Sequence, residues 1–253
     1  MSGAAAQSHI TDHLSSKSLP VSQAWLTQFL STQRVSTTPI SSLTRTALFR
    51  ILASDFTKSL SSQNPTHLLP TDISDPAIKE RRIAGPVPLQ ILDIEDIGTS
   101  LWSQVEAQER VERGEQQRGR EIIRTVTRDP GGGDLGEGTA NPATSGTNTT
   151  PTARNTASGG SNSGPHRLVL EDAKGTKVVG MELKRIEGIG IEKLSIGAKI
   201  VLKNATVARG MVLLEPPNAT ILGGKIDAMD KEWREKRKAR LLARLEQLQP
   251  PET

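Results

Sequence analysis

The stretch GPVPLQILDIEDIGTSLW, residues 85–102, decides the fold, because it starts a β-sheet whose next strand lies far along the chain. The alternation of its apolar side chains predicts a β-strand from Val87 to Ile94. The N–H and C=O groups of a buried strand need a pairing partner. The next strand-like run is HRLVLED at 166–172. We therefore predict that these two runs pair, with residues 97–165 as an insertion between them.

Such an insertion has a modest cost. The entropy of loop closure grows by about 0.6 kcal/mol per doubling of length, so stretching a short turn through about four doublings costs roughly 2–2.5 kcal/mol. A domain stabilised by about 5–15 kcal/mol tolerates that. Within the insertion, residues 100–128 are charged and rich in helix formers, which predicts a partial or partner-induced helix. Residues 129–165 are mostly Gly, Ser, Thr and Pro, which predicts disorder.

Short apolar runs after the insertion predict a small barrel. They occupy residues 166–172, 176–186, 198–207 and 211–215, with a further extended piece at 218–222. Gly180, inside the second run, predicts a bend. Together with the strand at 87–94 these runs make about five strands, the number in an OB-fold barrel. The segment IEGIGIEKLSIGAKI (186–200) has the glycine spacing of a DNA-binding helical hairpin, but strands flank it and we predict a loop.

Helices are predicted on either side of the barrel. Residues 1–18 are polar and predicted to be a disordered tail. Helical spacing of apolar residues predicts a small bundle over 19–63, with Ser41 or Ser42 capping its second helix and its Trp and three Phe in the core. Residues 64–86 contain four prolines and are predicted as an extended linker. The fold class is therefore α+β: a helical bundle, a five-stranded OB-fold barrel over 87–226, and a C-terminal helix and tail over 227–253.

Composition excludes several classes of protein. The 253 residues include no cysteine, which removes disulfides and thiolate metal sites and suits a reducing intracellular compartment. No apolar run is long enough to cross a membrane, and the start lacks the features of a secretory signal. The net charge of +4 is uneven, since the part from His166 onward has 17 Lys/Arg against 12 Asp/Glu. This basic half permits contact with nucleic acid without requiring it.

No catalytic, cofactor or metal site is predicted. The chain has no tyrosine to act as a nucleophile and no G-x-x-x-x-G-K-[ST] phosphate loop. His9 and His13 have the spacing of two ligands on one helix face, but no third ligand accompanies them. We therefore expect a protein that is not an enzyme and needs no cofactor.

Several stretches resemble the family of the RecQ-mediated genome instability protein of the first type, particularly its short fungal form. The resemblance covers roughly residues 20–248. It is carried by VPLQILDIEDI (87–97), GMELKRI (180–186), GAKIVLKNATVARGMVLLEPPNATILGGKIDAM (197–229) and ARLLARL (239–245), with LLPTDI (68–73) where the family has a short Leu-Pro element.

The resemblance implies a nuclear, non-catalytic subunit that binds topoisomerase III and a RecQ-family helicase. In the family, that complex dissolves double Holliday junctions in DNA repair and genome stability, and the accessory subunit stimulates decatenation. The insertion at 97–165 would reach the topoisomerase gate and influence its opening and closing. The printed sequence ends after the first barrel, and the second OB-fold of the longer animal members, which recruits a small extra subunit, is expected to be missing.

Six residues are candidates for binding the topoisomerase. Trp102 either packs on its own barrel or anchors the partner. The three cations of the set are either ordinary surface residues or a charged docking edge. The candidates in the insertion are Leu101, Trp102 and Val105, and those on the barrel are Lys184, Arg185 and Lys199.

The alternative function is an OB-fold nucleic-acid-binding module that acts on single-stranded or junction DNA. Such modules stack bases on aromatic side chains, but residues 85–101 and 166–227 contain no aromatic residue. Weak electrostatic contact with DNA stays open. The run KRKAR (236–240) is a solvated helix face, a nuclear import signal or a phosphate contact. The candidates for nucleic-acid contact are Lys203, Arg209, Lys236, Arg237 and Lys238.

Overall fold

A computed structural model describes residues 3–34, 37–114 and 164–248. The chain divides into two compact units, Met1–Glu109 with Ser163–Thr253, and Arg110–Asn162. The second unit is described only from Arg110 to Gly114, a stretch that includes the last residues of helix α5. Disorder was predicted over 129–165, and of that segment residues 129–163 lie outside the described residues, as does the predicted helix beyond Gly114.

The N-terminal part is helical, as the apolar spacing predicts. Helix α1 spans Gly3–Ser16, α2 spans Gln23–Ser31, α3 spans Ile40–Leu52 and α4 spans Phe56–Ser59, and a 3-10 turn follows at Pro65–His67. The predicted helix at 19–33 corresponds to α2. The predicted helix at 40–60 is divided into α3 and α4, because Asp55 starts α4 as a new N-cap and accepts a hydrogen bond from the Thr57 N–H.

The prediction of a disordered tail at 1–18 is wrong, because this segment forms α1. Ala6, Ile10 and Leu14 are buried, and their spacing of four places them on one face of the helix. Ile10 and Leu14 join the apolar cluster of the helical part. Helix α1 therefore packs through one apolar face.

Two details of the predicted bundle are also wrong. Pro39 occupies the N-cap of α3, which has no side-chain cap, so neither Ser41 nor Ser42 has that role. Among the aromatic residues, Phe29 and Phe56 are buried, but Phe49 is 73% exposed. Phe49 precedes Arg50 on the solvent side of α3, where the inward positions are taken by Leu43, Ala47 and Ile51.

The strand at 87–94 does pair with the run after the insertion. In the antiparallel pairing of β2 with β3, Ile94 lies opposite Leu168 and Asp96 lies opposite His166. The order in the sheet is β1-β6-β7-β4-β3-β2-β5-β8. The strands are β1 Glu80–Ile83, β2 Val87–Asp96, β3 His166–Glu171, β4 Lys177–Glu182, β5 Lys199–Leu202, β6 Ala205–Ala208, β7 Met211–Leu214 and β8 Ala219–Gly223.

The described residues contain eight strand segments, whereas five were predicted. The predicted run at 198–207 is broken into β5 and β6 at Lys203 and Asn204, and Asn204 has a left-handed φ of 51°. Strand β5 pairs with β2, whereas β6 pairs with β7. Because β5 and β6 lie near opposite ends of the strand order, the run at 198–207 connects the two ends, and the sheet is curled. Strand β8 corresponds to the extended piece predicted at 218–222 and pairs with β5. Strand β1 is additional and pairs with β6.

Residues 64–86 are part of the barrel and not the linker that was predicted. Leu69, Ile73 and Ile83 are buried in the barrel core. The Leu69 N–H donates a 2.9 Å hydrogen bond to the buried carboxylate of Asp172. The segment is therefore packed against the barrel at several points along its length.

The prediction of a loop in place of a helical hairpin at 186–200 agrees with the structure, whereas the predicted bend at Gly180 stays a prediction. The loop between β4 and β5 contains turns and no helix, and its buried isoleucines pack into the barrel core. Gly180 lies in β4 where a Cβ atom would come within 2.9 Å of Leu214 Cδ1, so a larger residue would crowd the interior. Helix α5 spans Leu101–Glu112 and α6 spans Asp227–Leu248. Among the described residues, no helix is both long and apolar enough to span a membrane.

Candidate partner-binding site

The insertion leaves the barrel at Asp96, the last residue of β2. The Asp96 carboxylate accepts hydrogen bonds from the backbone N–H groups of Gly98 (2.8 Å) and Thr99 (3.1 Å). It also accepts one from the Thr99 hydroxyl at 2.8 Å. A carboxylate that satisfies the following backbone in this way fixes a tight turn. The chain therefore leaves the sheet in one defined direction.

Helix α5 begins directly after this turn and is held against it. Ser100 Oγ accepts a 3.1 Å hydrogen bond from the Ser103 N–H, as an N-cap does. The Gln104 amide, which is nearly buried, donates to the backbone oxygens of Asp96 and Thr99, both at 2.9 Å. The first turns of α5 are thereby tied to the end of β2.

The far end of the insertion returns to the same place. The Ile97 N–H donates a 3.0 Å hydrogen bond to the Pro165 oxygen. Next along the chain, buried His166 Nδ1 lies 2.6 Å from the Glu182 carboxylate, which also accepts from the Ile186 N–H at 2.8 Å. The insertion therefore leaves and enters the barrel at a single fixed base.

The three predicted residues of the insertion have different environments. Trp102 is 67% exposed, so the alternative in which it packs on its own barrel is wrong. Leu101 is half-buried. Val105 is 4% exposed, so its predicted contact with a partner is wrong: the side chain faces inward and stabilises α5. Trp102 is thus an exposed indole on a helix whose base is fixed.

A cavity of about 290 Å³ lies beside this base, between the start of α5, the end of β2 and helix α6. The charges on its walls are paired, since Arg240 lies 3.3 Å from Asp93 and Arg244 lies 2.8 Å from Glu95. The cavity can accept an apolar side chain. Its lining includes Ile94, Leu101, Gln104, Ile191, Trp233 and Leu241.

Lys199 is not a surface residue, and the prediction that it forms part of a docking edge is wrong. It is fully buried, with its Nζ 4.4 Å from the centre of the Phe56 ring. Burial away from water lowers the pKa of Lys199 to about 8, and the negative charges of Asp55 and Glu171 only partly oppose this effect. A partner protein cannot reach this ammonium group while the domain is folded.

Gln90 connects Lys199 to both parts of the chain. Its Oε1 accepts from Lys199 Nζ at 3.2 Å and from the Phe56 N–H at 3.0 Å. Its Nε2 donates to Asp55 at 3.0 Å and to Glu171 at 2.8 Å. This cluster joins α4 to strands β2, β3 and β5. Sequence reasoning missed it, although a glutamine inside an apolar strand was a visible signal.

The remaining basic candidates are on the surface but on separate elements. Lys184 is exposed beside Glu215 (3.1 Å), and Arg185 follows it. Lys203 and Arg209 are exposed at the two ends of β6. On α6, Lys236 pairs with Glu232 (2.6 Å), Lys238 lies 3.4 Å from Glu109, and Arg237 lies over the Trp233 ring. Only Lys236, Arg237 and Lys238 therefore share one element, helix α6.

Within the described ranges, no group of three or more His, Asp or Glu side chains could hold a metal ion.

The helical part followed by a curled barrel defines the class of the protein: an OB-fold protein with an N-terminal helical domain. Comparison with known families makes the assignment specific. Residues 69–237 match the family model "RMI1, N-terminal OB-fold domain", and residues 14–59 match "RMI1, N-terminal helical domain". The chain belongs to the RMI1 family.

A curated relative is the RecQ-mediated genome instability protein 1 of Schizosaccharomyces pombe. The two chains are 32% identical over 156 residues. The alignment covers 62% of this chain and 63% of the relative. This confirms the family resemblance that the quoted stretches carry.

Proposed function

We propose that this protein is a non-catalytic scaffold and regulatory subunit that binds topoisomerase III and a RecQ-family helicase in the nucleus. It stimulates decatenation and the dissolution of double Holliday junctions, and so serves DNA repair and genome stability. Membership of the RMI1 family and the name of the fission-yeast relative support this role. The observation that carries it is Trp102, an exposed indole on a helix anchored to the barrel by Gln104.

The fixed position of helix α5 on the barrel suits a protein that regulates the opening and closing of the topoisomerase gate. A protein shifts the balance between two states of a partner only when it binds one of them better. The base formed by Asp96 and Gln104 gives α5 a fixed origin on the barrel, so an anchor one turn into the insertion has a defined position. Trp102 then binds the gate in one of its states, and the barrel supplies the attachment.

The test is the substitution Trp102→Ala, with Leu248→Ala as the matched control. Leu248 is also exposed, at 72%, but it lies at the far end of α6. An anchor tryptophan at a protein interface contributes about 2 kcal/mol or more, so we expect at least about 30-fold weaker stimulation of topoisomerase III by Trp102→Ala. The assay is decatenation of linked DNA circles across a titration of the protein, with thermal unfolding as the check on folding. Equal stimulation by both variants would contradict the role given to Trp102.

The alternative, a nucleic-acid-binding module acting alone, is separated by a second measurement. Labelled single-stranded DNA is titrated with the protein at physiological salt, because nucleic-acid affinities have meaning only at a stated salt concentration. We expect no tight binding in the absence of topoisomerase, since the barrel lacks aromatic stacking residues. Tight binding would favour the alternative.

A further inference from the structure

The outward residues of strands β7, β4 and β3 include a contiguous apolar group, bordered by Arg167, Glu171 and Lys177. Along these strands the residues alternate between buried and partly exposed positions. The pairing register places the outward residues beside each other: Val179 lies between Met211 and Val169, and Met181 lies between Leu213 and Arg167. We call this surface the sheet patch, and it consists of Val169, Val179, Met181, Leu183, Met211 and Leu213.

The sheet patch is accessible. Leu183 is 53% exposed and Met211 is 38% exposed, and the other members are partly exposed. Single exposed apolar residues are ordinary, but a contiguous apolar group on one face marks an interaction site. Two of its members are methionines, whose flexible side chains adapt to different partner surfaces.

The dimensions of the sheet patch fit one α-helix. Neighbouring strands lie about 4.8 Å apart, so three strands are about 10 Å across, close to the helix diameter of about 10–12 Å. Val179 to Leu183 covers about 13 Å along the strand, which corresponds to about nine helical residues. An exposed sheet face is covered most simply by a packed helix.

The rim of the sheet patch is positively charged. Arg82 lies opposite Thr206 at the β1 edge, and neither Arg82 nor Arg185 has a carboxylate partner in the described part of the chain. The carboxylates Glu215 and Glu95 are already paired, with Lys184 and with Arg167. The rim cations are Arg82, Arg167, Lys177, Lys184, Arg185 and Arg209, and the rim carboxylates are Glu80, Asp93, Glu95, Glu171 and Glu215, of which Asp93 pairs with Arg240 and Glu171 with Lys177.

We propose that the sheet patch binds an acidic amphipathic helix of another protein, with its apolar face on Val179, Met181 and Met211 and its carboxylates toward the rim arginines. Other OB-folds use the face of their second and third strands to bind nucleic acid. Here that face, on β3 and β4, carries aliphatic and thioether side chains, which bury apolar surface and offer no base stacking. The inference concerns a different surface from Trp102, and it shares only the rim residues Lys184 and Arg185 with the residues predicted to bind the topoisomerase.

The experiment uses the full chain and a fluorescein-labelled synthetic helical peptide of about 15 residues, with leucines on one face and glutamates on the others. Binding is followed by fluorescence anisotropy. Saturable binding is expected, and Met211→Glu and Met181→Glu should each weaken it at least about tenfold, because they place a carboxylate on the apolar surface. Thr220→Glu, at an exposed position of β8 outside the sheet patch, is the control and should bind as the wild type does. Thermal unfolding of each variant shows whether it is folded.

Two further peptides test the chemistry of the partner. A permuted peptide, whose leucines do not share a face, should not bind, and a peptide with lysine for glutamate should bind at least about tenfold more weakly. No saturable binding of the first peptide, equal binding of the permuted peptide, or unchanged binding by folded Met211→Glu would overturn the proposal. So would displacement of the peptide by single-stranded DNA, or a dimer in light scattering that Met211→Glu dissociates, because these assign the surface to nucleic acid or to a second copy.

Discussion

At the scale of single residues, Lys199 and Gln90 determine how the helical part joins the barrel. Lys199 comes from β5 and Gln90 from β2, and the pairing of these strands places the two residues opposite each other. Asp55 and Phe56 reach the same cluster from the start of α4. A buried ammonium group is costly unless polar groups compensate for its lost hydration. The Gln90 amide provides that compensation and also binds the two neighbouring carboxylates.

We predict that Lys199 makes the stability of the protein depend on pH in the alkaline range. The pKa of Lys199 is about 8 in the folded protein, against 10.5 for an ordinary lysine. Between these values the unfolded chain binds more protons, so the free energy of unfolding rises with pH. The gain reaches at most about 3 kcal/mol by pH 10.5, because each pKa unit corresponds to about 1.4 kcal/mol.

The measurement is urea unfolding of the wild type and Lys199→Met at intervals between pH 7 and pH 10. The free energy of unfolding of the wild type, relative to that of Lys199→Met, should increase as the pH rises. Lys203→Met, which removes an exposed lysine nearby, controls for the loss of one positive charge. Parallel pH profiles for the wild type and Lys199→Met would show that Lys199 is charged and compensated in the folded state.

The environment of Lys199 could not be predicted from the sequence. The run AKIVLKN reads as a strand with lysines at the surface, because lysine is rarely fully buried. Its burial depends on Gln90, on Glu171 and on the ring of Phe56, which lie far away in the chain. For Trp102 the sequence left both environments open, although a tryptophan in a charged segment has few apolar neighbours to join.

At the scale of elements, α6 is attached to the barrel by a few polar contacts. Asp230 accepts a 2.9 Å hydrogen bond from the Ile196 N–H in the loop before β5, and it pairs with Arg234 at 2.9 Å. Trp233 is nearly buried, and its indole N–H donates to Asp93 on β2. The helix therefore covers the end of β2 beside the base of the insertion.

We predict that Asp230→Ala lowers the free energy of unfolding by about 1–3 kcal/mol, because it leaves the buried Ile196 N–H without an acceptor. Asp227→Ala is the matched control in the same helical turn. Its side chain is 87% exposed beside Lys225, so a loss below about 0.5 kcal/mol is expected. Equal losses in the two variants would mean that Asp230 acts only through the charge of the helix end.

The effect of Asp230→Ala should also depend on pH. Burial raises the pKa of Asp230, but the hydrogen bonds from Arg234 and the Ile196 N–H outweigh burial and hold the pKa below the usual 3.8. A carboxyl whose pKa is lower in the folded state stabilises the protein above its unfolded value. That stabilisation is lost as the pH falls through the folded pKa, so the difference from the wild type should shrink below about pH 3.8.

The elements that alternation or helical spacing marks clearly were predictable, and those defined by their neighbours were not. Strands β3 and β4 alternate over six residues each, and both were predicted, although the run predicted for β4 continued to 186 and the strand ends at Glu182. Strand β1, with the sequence ERRI, has one apolar residue, and only its pairing with β6 makes it a strand. Helix α1 did carry a signal in Ala6, Ile10 and Leu14, but its polar composition hid it.

At the scale of the whole molecule, two apolar clusters lie against each other in one compact unit of the chain. The cluster of the helical part includes Ala173, from the turn after β3, and Leu222 of β8 packs against it. Gly224 lies so close to the Leu52 oxygen that an added Cβ atom would come within 2.4 Å of it. Together with the Gln90 cluster, these contacts make separate unfolding of the helical part costly, because Lys199 would lose the partners that α4 supplies.

We therefore predict that the helical part and the barrel unfold in one cooperative transition. Trp25, stacked on Phe29 with 5.4 Å between ring centres, reports on the helical part, and Trp233 reports on the barrel with α6. Two variants isolate these signals: Trp102→Phe with Trp233→Phe leaves Trp25, and Trp25→Phe with Trp102→Phe leaves Trp233. In each variant, the urea midpoint of tryptophan fluorescence should equal the midpoint of far-ultraviolet circular dichroism, as two-state unfolding requires. A fluorescence midpoint for Trp25 clearly below that of the circular dichroism would mean that the helical part unfolds first, and that the Gln90 cluster does not couple it to the barrel.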